Sequence, residues 1–488
     1  MSSQSTLRDA YTVTIGIECH VQLKTATKLF SGADNDAREA APNTLVNHID
    51  FGLPGALPVL NKKAVELACK AAFALNSEPQ KFSKFDRKHY FYPDLPMGYQ
   101  ITQFDEPIIL GGHIDIVVDG RPKRVGITRA HLEADAGKST HPAGTDYSLV
   151  DLNRAGTPLL EIVSEPDMHT PAEAKAYARE LYLRMRYAEV SEANLYYGNM
   201  RFDVNVSVSK TDELGTRTET KNLNSFKSVE KAVDYEVDRQ IKVLEAGEQI
   251  VQETRGWDDA GQKTFSQRSK EDAHDYRYMP DPDIPPVVLG EEYIATIAAN
   301  LAELPDVYRD KFTQIGLDDK TIEDIIATPD IAKQVGRIYD DAGPAHAKRV
   351  AFWLLRPVDE ADLEPDEVSS ESIVPNIDDK LIALSQMVED GKLSSTAAKQ
   401  VLDTMLQTGQ DPEAVAKEQN LIQESDEGAL QAIVQQVLGE NPKAAGDVQN
   451  GEMKAIGFLV GQVMKLSQGK ANPGVVTKII KQLLSTEE

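Results

Sequence analysis

Cysteine is scarce in this chain of 488 residues, which contains only Cys19 and Cys69. Two thiols can form neither a disulfide framework nor a four-cysteine zinc site, and this favours a reducing cytoplasm. The first ten residues lack the apolar run of a signal peptide. No stretch reaches the roughly 18 consecutive apolar residues of a membrane helix. We therefore expect a cytoplasmic protein with no membrane partner.

Basic residues are also few, since 52 Lys and Arg stand against 78 Asp and Glu and the formal net charge is −26. A field of that sign repels phosphate, so the composition alone favours a small-molecule enzyme over an RNA-handling protein. Residues 448–486 depart from the trend. They hold one acid, Glu452, and five lysines, at positions 454, 465, 470, 478 and 481. This segment is either a solvated helix face or a phosphate-contacting surface.

Several common catalytic motifs are missing. The chain has no G-x-G-x-x-G, H-E-x-x-H, C-x-x-C or G-x-S-x-G pattern, and GKST at 137–140 follows Leu132 where a phosphate-binding loop needs glycine. Nothing in the sequence supports a cysteine or serine nucleophile.

Periodicity divides the chain into two halves. Residues 1–293 alternate in short segments separated by Gly and Pro turns, with a few capped helices, which predicts an α+β domain built on a mixed, mainly antiparallel sheet. From residue 294 onward the period is helical, and we divide this half into domains at 294–410 and 411–488. The stretch 359–379 carries nine acids and no base, and we expect a solvated loop there.

The first strand, TVTIGIECHVQL, carries apolar residues on one face and Glu18, His20 and Gln22 on the other. Other predicted strands repeat the pattern, with Arg129, His131 and Glu133 together, Arg201 with Asp203 and Asn205, Glu219 with Lys221, and Glu161 in PLLEIV. One interpretation is an ordinary wet face of a sheet. The other is a site for Mg²⁺ and a nucleotide, because clustered carboxylates suit the cation and nearby Arg and Lys suit phosphates.

Seven segments in order resemble the GatB family, the B subunits of tRNA-dependent amidotransferases. These segments are IGIECHVQL, LPGALPVLN, KFDRKHYFYPDLPMGYQI, HLEADAGK, LVDLNRAGTPLLEIVSEPD, ETKNLNSFKSVEKA and RSKEDAHDYRYMPDPDIPP. The resemblance extends to the C-terminal helices through GKLSSTAAKQVLDTM and GFLVGQVMKLSQGKANP. It implies a cradle domain at 1–293, a helical domain at 294–410 and a small YqeY-like, tRNA-binding tail at 411–488.

The resemblance also implies an activity and its partners. The cradle would phosphorylate the side-chain carboxylate of misacylated Glu-tRNA(Gln) or Asp-tRNA(Asn) with ATP, and ammonia would then displace the phosphate. An amidase-type A subunit would supply the ammonia, and a small C subunit would hold the complex together. Cysteine is absent where many members have a zinc knot, so we expect ATP and Mg²⁺ but no zinc.

Site residues follow from the same resemblance. The expected Mg²⁺ ligands are Glu18, His20, Glu133 and Glu161, with Asp203 as a neighbour. The residues expected to contact ATP phosphates or the activated carboxylate are Lys221, Asn222, Arg268 and Arg277. Further cofactor contacts are expected from Lys88, Arg129 and Lys138. Two alternatives stay open, a non-catalytic tRNA-binding scaffold and a stand-alone ATP-dependent ligase acting on small acids.

Overall fold

The computed structural model describes residues 7–142, 144–269, 275–355, 377–423, 427–449, 452, 454–467 and 471–485. The chain forms two compact units, one ending at Val307 and the other containing Tyr308 and the helices after it. None of the described helices combines the length and the apolar character needed to cross a membrane. The predicted acidic loop lies outside the described residues, apart from its last three positions.

The strands belong to the first unit. In chain order, β1 to β16 are Thr12–Gln22, Phe82–Ser83, Asp86–His89, Tyr99–Thr102, Ile109–Leu110, His113–Val118, Arg121–Ala134, Lys138–Thr140, Leu149–Asp151, Pro158–Ser164, Met200–Ser209, Thr218–Leu223, Glu253–Asp258, Lys263–Ser269, Met279–Pro280 and Val287–Val288.

Twelve of these strands form one sheet, in the order β14-β13-β12-β11-β1-β10-β7-β4-β3-β15, with β5 and β6 also paired to β7. Every described pair in it is antiparallel except β12 with β13. The predicted mixed, mainly antiparallel sheet of an α+β domain is therefore confirmed. The strand β1 lies near the middle, between β10 and β11.

The helices α1 to α15 run through both units. Their bounds are Lys62–Ala74, Pro171–Tyr187, Phe226–Glu245, Glu291–Ala299, Pro305–Gln314, Asp319–Ile326, Pro329–Ala342, Pro344–Leu354, Asp378–Glu389, Ser395–Thr408, Pro412–Glu418, Glu427–Glu440, Pro442–Gln449, Lys454–Leu466 and Pro473–Ser485.

Side-chain caps explain where the main helices of the first unit begin. Asn61 accepts from the backbone N–H groups of Lys63 and Ala64 at the start of α1. Thr170 and Ser225 cap α2 and α3 in the same way. Each cap satisfies N–H groups that have no partner within the helix.

The core of the first unit lies between one face of the sheet and the helices α1, α2 and α3. On β1 this face consists of Ile15, Ile17, Cys19 and Val21, all at most 1% exposed. Burial raises the pKa of the Cys69 thiol to about 12 and that of Cys19 well above its ordinary value. Both thiols are therefore packing residues, and the polar residues of β1 are left on the opposite face.

The C-terminal helices pack through α12, α14 and α15 around a small apolar cluster that includes Val434, Leu459 and Ile480. The described side chains of Lys454, Lys465, Lys478 and Lys481 are exposed on the outside of these helices. The helical character predicted from residue 294 onward is confirmed in the described residues, where α13 (Pro442–Gln449) precedes α14 (Lys454–Leu466). The predicted three-domain division stays a prediction.

A buried carboxylate on α3 contacts the three strands β12, β13 and β14 at one edge of the sheet. Glu236 accepts a hydrogen bond from Thr218 on β12 at 2.8 Å and a charged contact from Arg255 on β13 at 3.0 Å. It also accepts from Thr264 on β14 and from Arg239 on its own helix. Burial raises the pKa of Glu236, but the hydrogen bonds from Arg239 and Thr264 and the charge of Arg255 outweigh it and lower the pKa.

Replacing Glu236 with alanine should therefore lower the free energy of unfolding of the first unit by about 3 kcal/mol, because it removes one of the two carboxylates paired with the buried Arg255 and breaks the hydrogen bonds from Thr218 and Thr264. In the wild type this contribution is present above about pH 4.3, the ordinary glutamate pKa, and is lost as the pH falls through the lower folded value. Urea unfolding followed by Trp257 fluorescence in a Trp353→Phe background measures it. Lys231→Ala, at an exposed position of the same helix, is the control and should leave the transition nearly unchanged.

Candidate metal and nucleotide site on the polar face of the sheet

Strand register brings three of the predicted ligands together. His20 on β1 lies opposite Glu161 on β10, and Glu161 in turn lies opposite His131 on β7. Glu133 follows His131 by two residues, so its side chain emerges on the same face. Directly opposed residues of antiparallel strands have Cβ atoms about 4.5–5.5 Å apart, so this register forces the four side chains close together.

We call these four residues the His–Glu cluster. The Nε2 atom of His20 lies 3.6 Å from Glu133 Oε1 and 3.5 Å from Glu161 Oε2. The Nε2 atom of His131 lies 3.5 Å from the same Glu161 oxygen and 3.8 Å from Glu133 Oε2. His20, Glu133 and Glu161 each offer one ligand atom, and these three atoms all lie within 4.8 Å of one another.

The residues of the His–Glu cluster shift one another's pKa values. Burial lowers the pKa of His20, but the hydrogen bond to Glu161 and the charges of Glu161 and Glu133 outweigh it and raise the pKa to about 9. Burial raises the pKa of Glu161, but His131, His20 and Lys88 bring it well below its ordinary value. Glu161 is therefore held as a carboxylate in a nearly closed site.

The donor set fits a divalent cation. Two carboxylates and an imidazole converge with donor atoms 3.5–4.8 Å apart, which suits ligands arranged around one ion with bonds of roughly 2.0–2.6 Å. Within the described part of the chain, the buried Nδ1 atom of His131 has no hydrogen-bond partner. Its Nε2 faces the same carboxylates, so a second imidazole is available at this point. His20, Glu133 and Glu161 are thus the residues that could hold the metal.

His131 was missing from the predicted ligand set, although the alternation had placed it on the correct face between Arg129 and Glu133. Spacing along one strand shows which face a side chain occupies. It does not show that Glu161, thirty residues further along the chain, lies opposite that histidine. The register of β7 against β10 supplies this information.

Two predicted metal ligands, Glu18 and Asp203, contact other polar residues next to the His–Glu cluster, and their role as ligands stays a prediction. The amide of Asn205 donates to Glu18 Oε1 at 3.0 Å. The ammonium of Lys221 lies 3.0 Å from Asp203 Oδ2 and 3.1 Å from Glu219 Oε1. Within the described residues, Glu18 and Asp203 are not part of the group of potential metal ligands that includes His20.

Lys221 is held permanently charged between Asp203 and Glu219, and we call these three residues the Lys221 group. Burial lowers its pKa, but the charges of Asp203 and Glu219 outweigh it and raise the pKa above the ordinary value. Asn222 follows with φ 58°, beside the irregular pairing of β11 with β12, and its backbone N–H donates to Asp203 Oδ1 at 2.7 Å. Its side chain is exposed. The pair therefore places one fixed cation and one exposed amide beside the His–Glu cluster.

The other predicted phosphate contacts differ in position. The charge of Lys88 acts on Glu161, and its Nζ atom lies 4.9 Å from the centre of the Tyr276 ring. Arg129 lies opposite Val163 on the polar face, and its charge acts on Tyr278. Both cations therefore lie near the His–Glu cluster.

Three further predicted residues lie at the periphery or outside the described part of the chain. Arg277 is exposed, and its carbonyl accepts from His89 Nδ1 at 2.9 Å. Lys138 is exposed on β8 and lines a separate groove. Arg268 belongs to β14, but its side chain lies outside the described residues. The roles predicted for these residues stay predictions.

A group of tyrosines beside the cluster was not assigned from the sequence. Burial raises the pKa of Tyr278 to about 12, with contributions from Tyr276 and from Glu161 and Glu133. Tyr276 and Tyr90 meet edge to face at 6.1 Å. The sequence contained an indication of this group, because the segments 84–100 and 265–286 both carry several tyrosines. Pairing of β15 with β3 brings these loops together.

Comparison with known proteins gives the family. Residues 13–295, more than half of the chain, match the sequence profile described as the GatB/GatE catalytic domain, and residues 341–484 match that of the GatB domain. The chain belongs to the GatB family. The His–Glu cluster and the Lys221 group both lie within the part that matches the GatB/GatE catalytic domain.

Relatives of this GatB chain align over nearly its whole length. It is 46% identical to the B subunit of the aspartyl/glutamyl-tRNA(Asn/Gln) amidotransferase of Carboxydothermus hydrogenoformans over 487 residues, covering 97% of this chain and 99% of the relative. The corresponding protein of Caldanaerobacter subterraneus is 47% identical with the same coverage. That of Brevibacillus brevis is 45% identical over 98% of this chain and 99% of its own.

We expect Glu161→Gln to weaken the binding of Mn²⁺ to the full-length chain by at least about tenfold, because it removes a charged ligand while keeping the side-chain shape. Titration followed by the electron paramagnetic resonance of free Mn²⁺ measures the affinity. Glu165→Gln makes the same charge change outside the cluster, where the carboxylate accepts from Thr128 at 2.8 Å, and should bind Mn²⁺ like the wild type. Equal affinities for all three proteins would contradict the assignment.

Proposed function

We propose that this chain activates the side-chain carboxylate of misacylated Glu-tRNA(Gln) or Asp-tRNA(Asn) with ATP and amidates it with ammonia. The products would be Gln-tRNA(Gln) and Asn-tRNA(Asn) for translation. The observation that carries the proposal is the His–Glu cluster, which lies beside the charged Lys221 on one sheet face. The names of the relatives that align over almost the whole chain support the same activity.

The chemistry requires activation because a carboxylate cannot expel oxide. The carboxylate oxygen attacks the γ-phosphorus of ATP, the bond to ADP breaks, and an acyl phosphate forms. Ammonia then attacks the acyl carbon, inorganic phosphate leaves with the electron pair of the broken bond, and the nitrogen loses a proton to become the amide. Such steps depend on positioning and on charge neutralisation, and need no protein nucleophile. The burial of Cys19 and Cys69 agrees with this requirement.

Each group on the sheet face has a role in that scheme. A divalent cation bound by His20, Glu133 and Glu161 would neutralise charge on the phosphate oxygens. Lys221 stays charged between Asp203 and Glu219, and its ammonium group can donate a hydrogen bond to a phosphate or to the substrate carboxylate. Lys88 and Arg129 supply further positive charge near the cluster. Tyr90 and Tyr278 lie near the carboxylates of the cluster, and their rings would help to exclude water from an acyl phosphate.

The proposal includes partner subunits. Cys19 and Cys69 are buried, which argues against a thiol glutaminase in this chain, and we assign the supply of ammonia to an amidase-type A subunit. The relatives are named as B subunits, which supports a complex of several chains, and we include a small C subunit in it. Charged tRNA is the substrate, ATP the co-substrate and Mg²⁺ the expected cation.

Glu161→Gln or His20→Ala in the reconstituted complex should lower the rate of ATP-dependent amide formation on Glu-tRNA(Gln) by at least about a hundredfold, because phosphate charge is no longer neutralised. Single-turnover amidation with glutamine as the nitrogen donor measures the rate. Complex assembly and glutamine hydrolysis should be retained. Full transamidation by these variants would exclude the metal role.

The same assay separates the alternatives. A tRNA-binding scaffold predicts loss of tRNA affinity without an ATP-dependent defect. A stand-alone ligase predicts ATP-dependent amidation of a free small acid without tRNA.

Neutralising the five tail lysines at 454, 465, 470, 478 and 481 should weaken tRNA binding and flatten its dependence on salt. Each lost phosphate contact should reduce the slope of log K against log salt concentration by about one. Filter binding at several salt concentrations measures this slope. A set of alanines replacing Lys62, Lys63, Lys70, Lys81 and Lys84 in the first unit removes as many charges and serves as the control. An unchanged slope in the tail variant would leave the exposed lysines as a solvated face.

A further inference from the structure

One arginine on the polar face of the sheet has no role in the function proposed above. Arg201 lies on β11 directly opposite His20 of β1, and its side chain is 18% exposed. Within the described residues its one ion pair is a contact of 3.4 Å between its Nη2 atom and Asp135 Oδ2. A guanidinium carries five N–H donors, so this mostly covered side chain keeps donors available for a ligand.

Asp135 is neutralised mainly by a second arginine. The Nε atom of Arg154 lies 3.1 Å from the same Asp135 oxygen, closer than Arg201 does. Arg154 also donates to the backbone carbonyls of Ala136 at 3.2 Å and Gly137 at 3.1 Å, so its donors hold the segment that follows β7. One carboxylate shared between two guanidinium groups leaves an excess positive charge. That charge belongs to Arg201, because its pairing is the weaker of the two.

The available donors of Arg201 lie beside the His–Glu cluster. The sheet order places β1 and β10 between β11, which carries Arg201, and β7, which leads to Asp135. The ion pair between these two residues therefore spans the strands that carry His20 and Glu161. An anion bound by Arg201 would lie next to a cation bound by the cluster, which is the arrangement that a phosphoryl transfer to an anionic acceptor needs.

Lys221 is a less suitable partner for a carboxylate than Arg201. Its ammonium group lies 3.0 Å from Asp203 and 3.1 Å from Glu219, so two of its three donors are directed to carboxylates of the protein. An ammonium group is also a point charge, whereas a guanidinium presents two parallel N–H groups that match the two oxygens of a carboxylate. Arg201 is therefore the cation that fits a carboxylate, and Lys221 remains for a phosphate.

We propose that Arg201 binds the side-chain carboxylate of the amino acid carried by the substrate RNA and distinguishes this acid from the amide product. The proposal rests on the function proposed above and names the residue that selects its substrate. A carboxylate accepts two charge-assisted hydrogen bonds from the guanidinium fork, and each oxygen keeps a further lone pair with which to attack phosphorus. A carboxamide offers one oxygen and one NH₂ group, whose hydrogens face the donors of the arginine. The site therefore holds the acid and releases the amide.

Binding of stable substrate and product analogues tests this role. In the reconstituted complex without ATP, the wild type should bind tRNA(Gln) carrying glutamate through a non-hydrolysable amide link at least about tenfold more tightly than the same tRNA carrying glutamine. Arg201→Met should abolish this preference, because the forked donor is lost, and should bind uncharged tRNA as the wild type does. Arg201→Lys keeps the charge without the fork and should retain only part of the preference. A wild type without the preference, or an Arg201→Met variant that keeps it, would overturn the proposal.

Asp135→Asn is the matched control, because it breaks the same ion pair from the other side and leaves the guanidinium in place. It should keep the preference for glutamate. Loss of the preference in Asp135→Asn, or equal weakening of all three RNAs by Arg201→Met, would assign Arg201 a structural role through Asp135 and overturn the proposal. Both variants should still bind Mn²⁺, which shows that the His–Glu cluster is folded, and loss of this binding would likewise indicate a structural role.

A second measurement separates this role from nucleotide binding and from the proposed function. In steady-state amidation by the reconstituted complex, Arg201→Met should raise the KM for Glu-tRNA(Gln) and leave the KM for ATP unchanged. A raised KM for ATP with an unchanged preference for glutamate would assign Arg201 to the phosphates of the nucleotide and overturn the proposal. Absence of ATP-dependent amidation by the wild-type complex would refute the proposed function, and this result is distinct from the binding preference, which is measured without ATP.

Discussion

The whole candidate site depends on how β1 is held between β10 and β11. One face of β1 carries Ile15, Ile17, Cys19 and Val21, which are almost completely buried against the helices. A slip of one residue would turn all of these side chains towards water and bury His20. The apolar face therefore determines the register of the polar face. His20 meets Glu161 in the register in which these apolar side chains pack into the core.

Opposite charges on the polar face are arranged in two adjacent groups. Two imidazoles face two carboxylates in the His–Glu cluster, and Lys221 lies between Asp203 and Glu219 beside it. Each group compensates charges that would be costly to bury alone. The arrangement keeps donors for a cation and a fixed positive charge next to each other. Phosphoryl transfer to a carboxylate requires this combination, because both reacting groups are anionic.

The net charge of −26 is interpreted differently when the positions of the charged side chains in the structure are taken into account. Some of the acid belongs to the sheet face, where it can hold a cation. Positive charge is concentrated on the exposed lysines of the last helices. An acidic protein can use such local surfaces to bind RNA while its overall field limits unspecific binding. Composition alone had suggested a small-molecule enzyme, because it averages over these regions.

Much of this molecule could be predicted from local sequence, because alternation and capping are local effects. The period of two placed Glu18, His20 and Gln22 on one face of β1, and Asn61 and Thr170 belong to the residue types that cap the starts of helices. Long family segments identified the GatB family, which the comparisons confirmed. Register and long-range pairing are different, since they depend on contacts between residues far apart in the chain. Only the tertiary structure grouped His131 with Glu161, separated Glu18 and Asp203 from them, and brought Tyr90 to Tyr276. The sequence by itself determined which face each side chain occupies, and the tertiary structure decided which side chains meet, because the core fixes how the strands align.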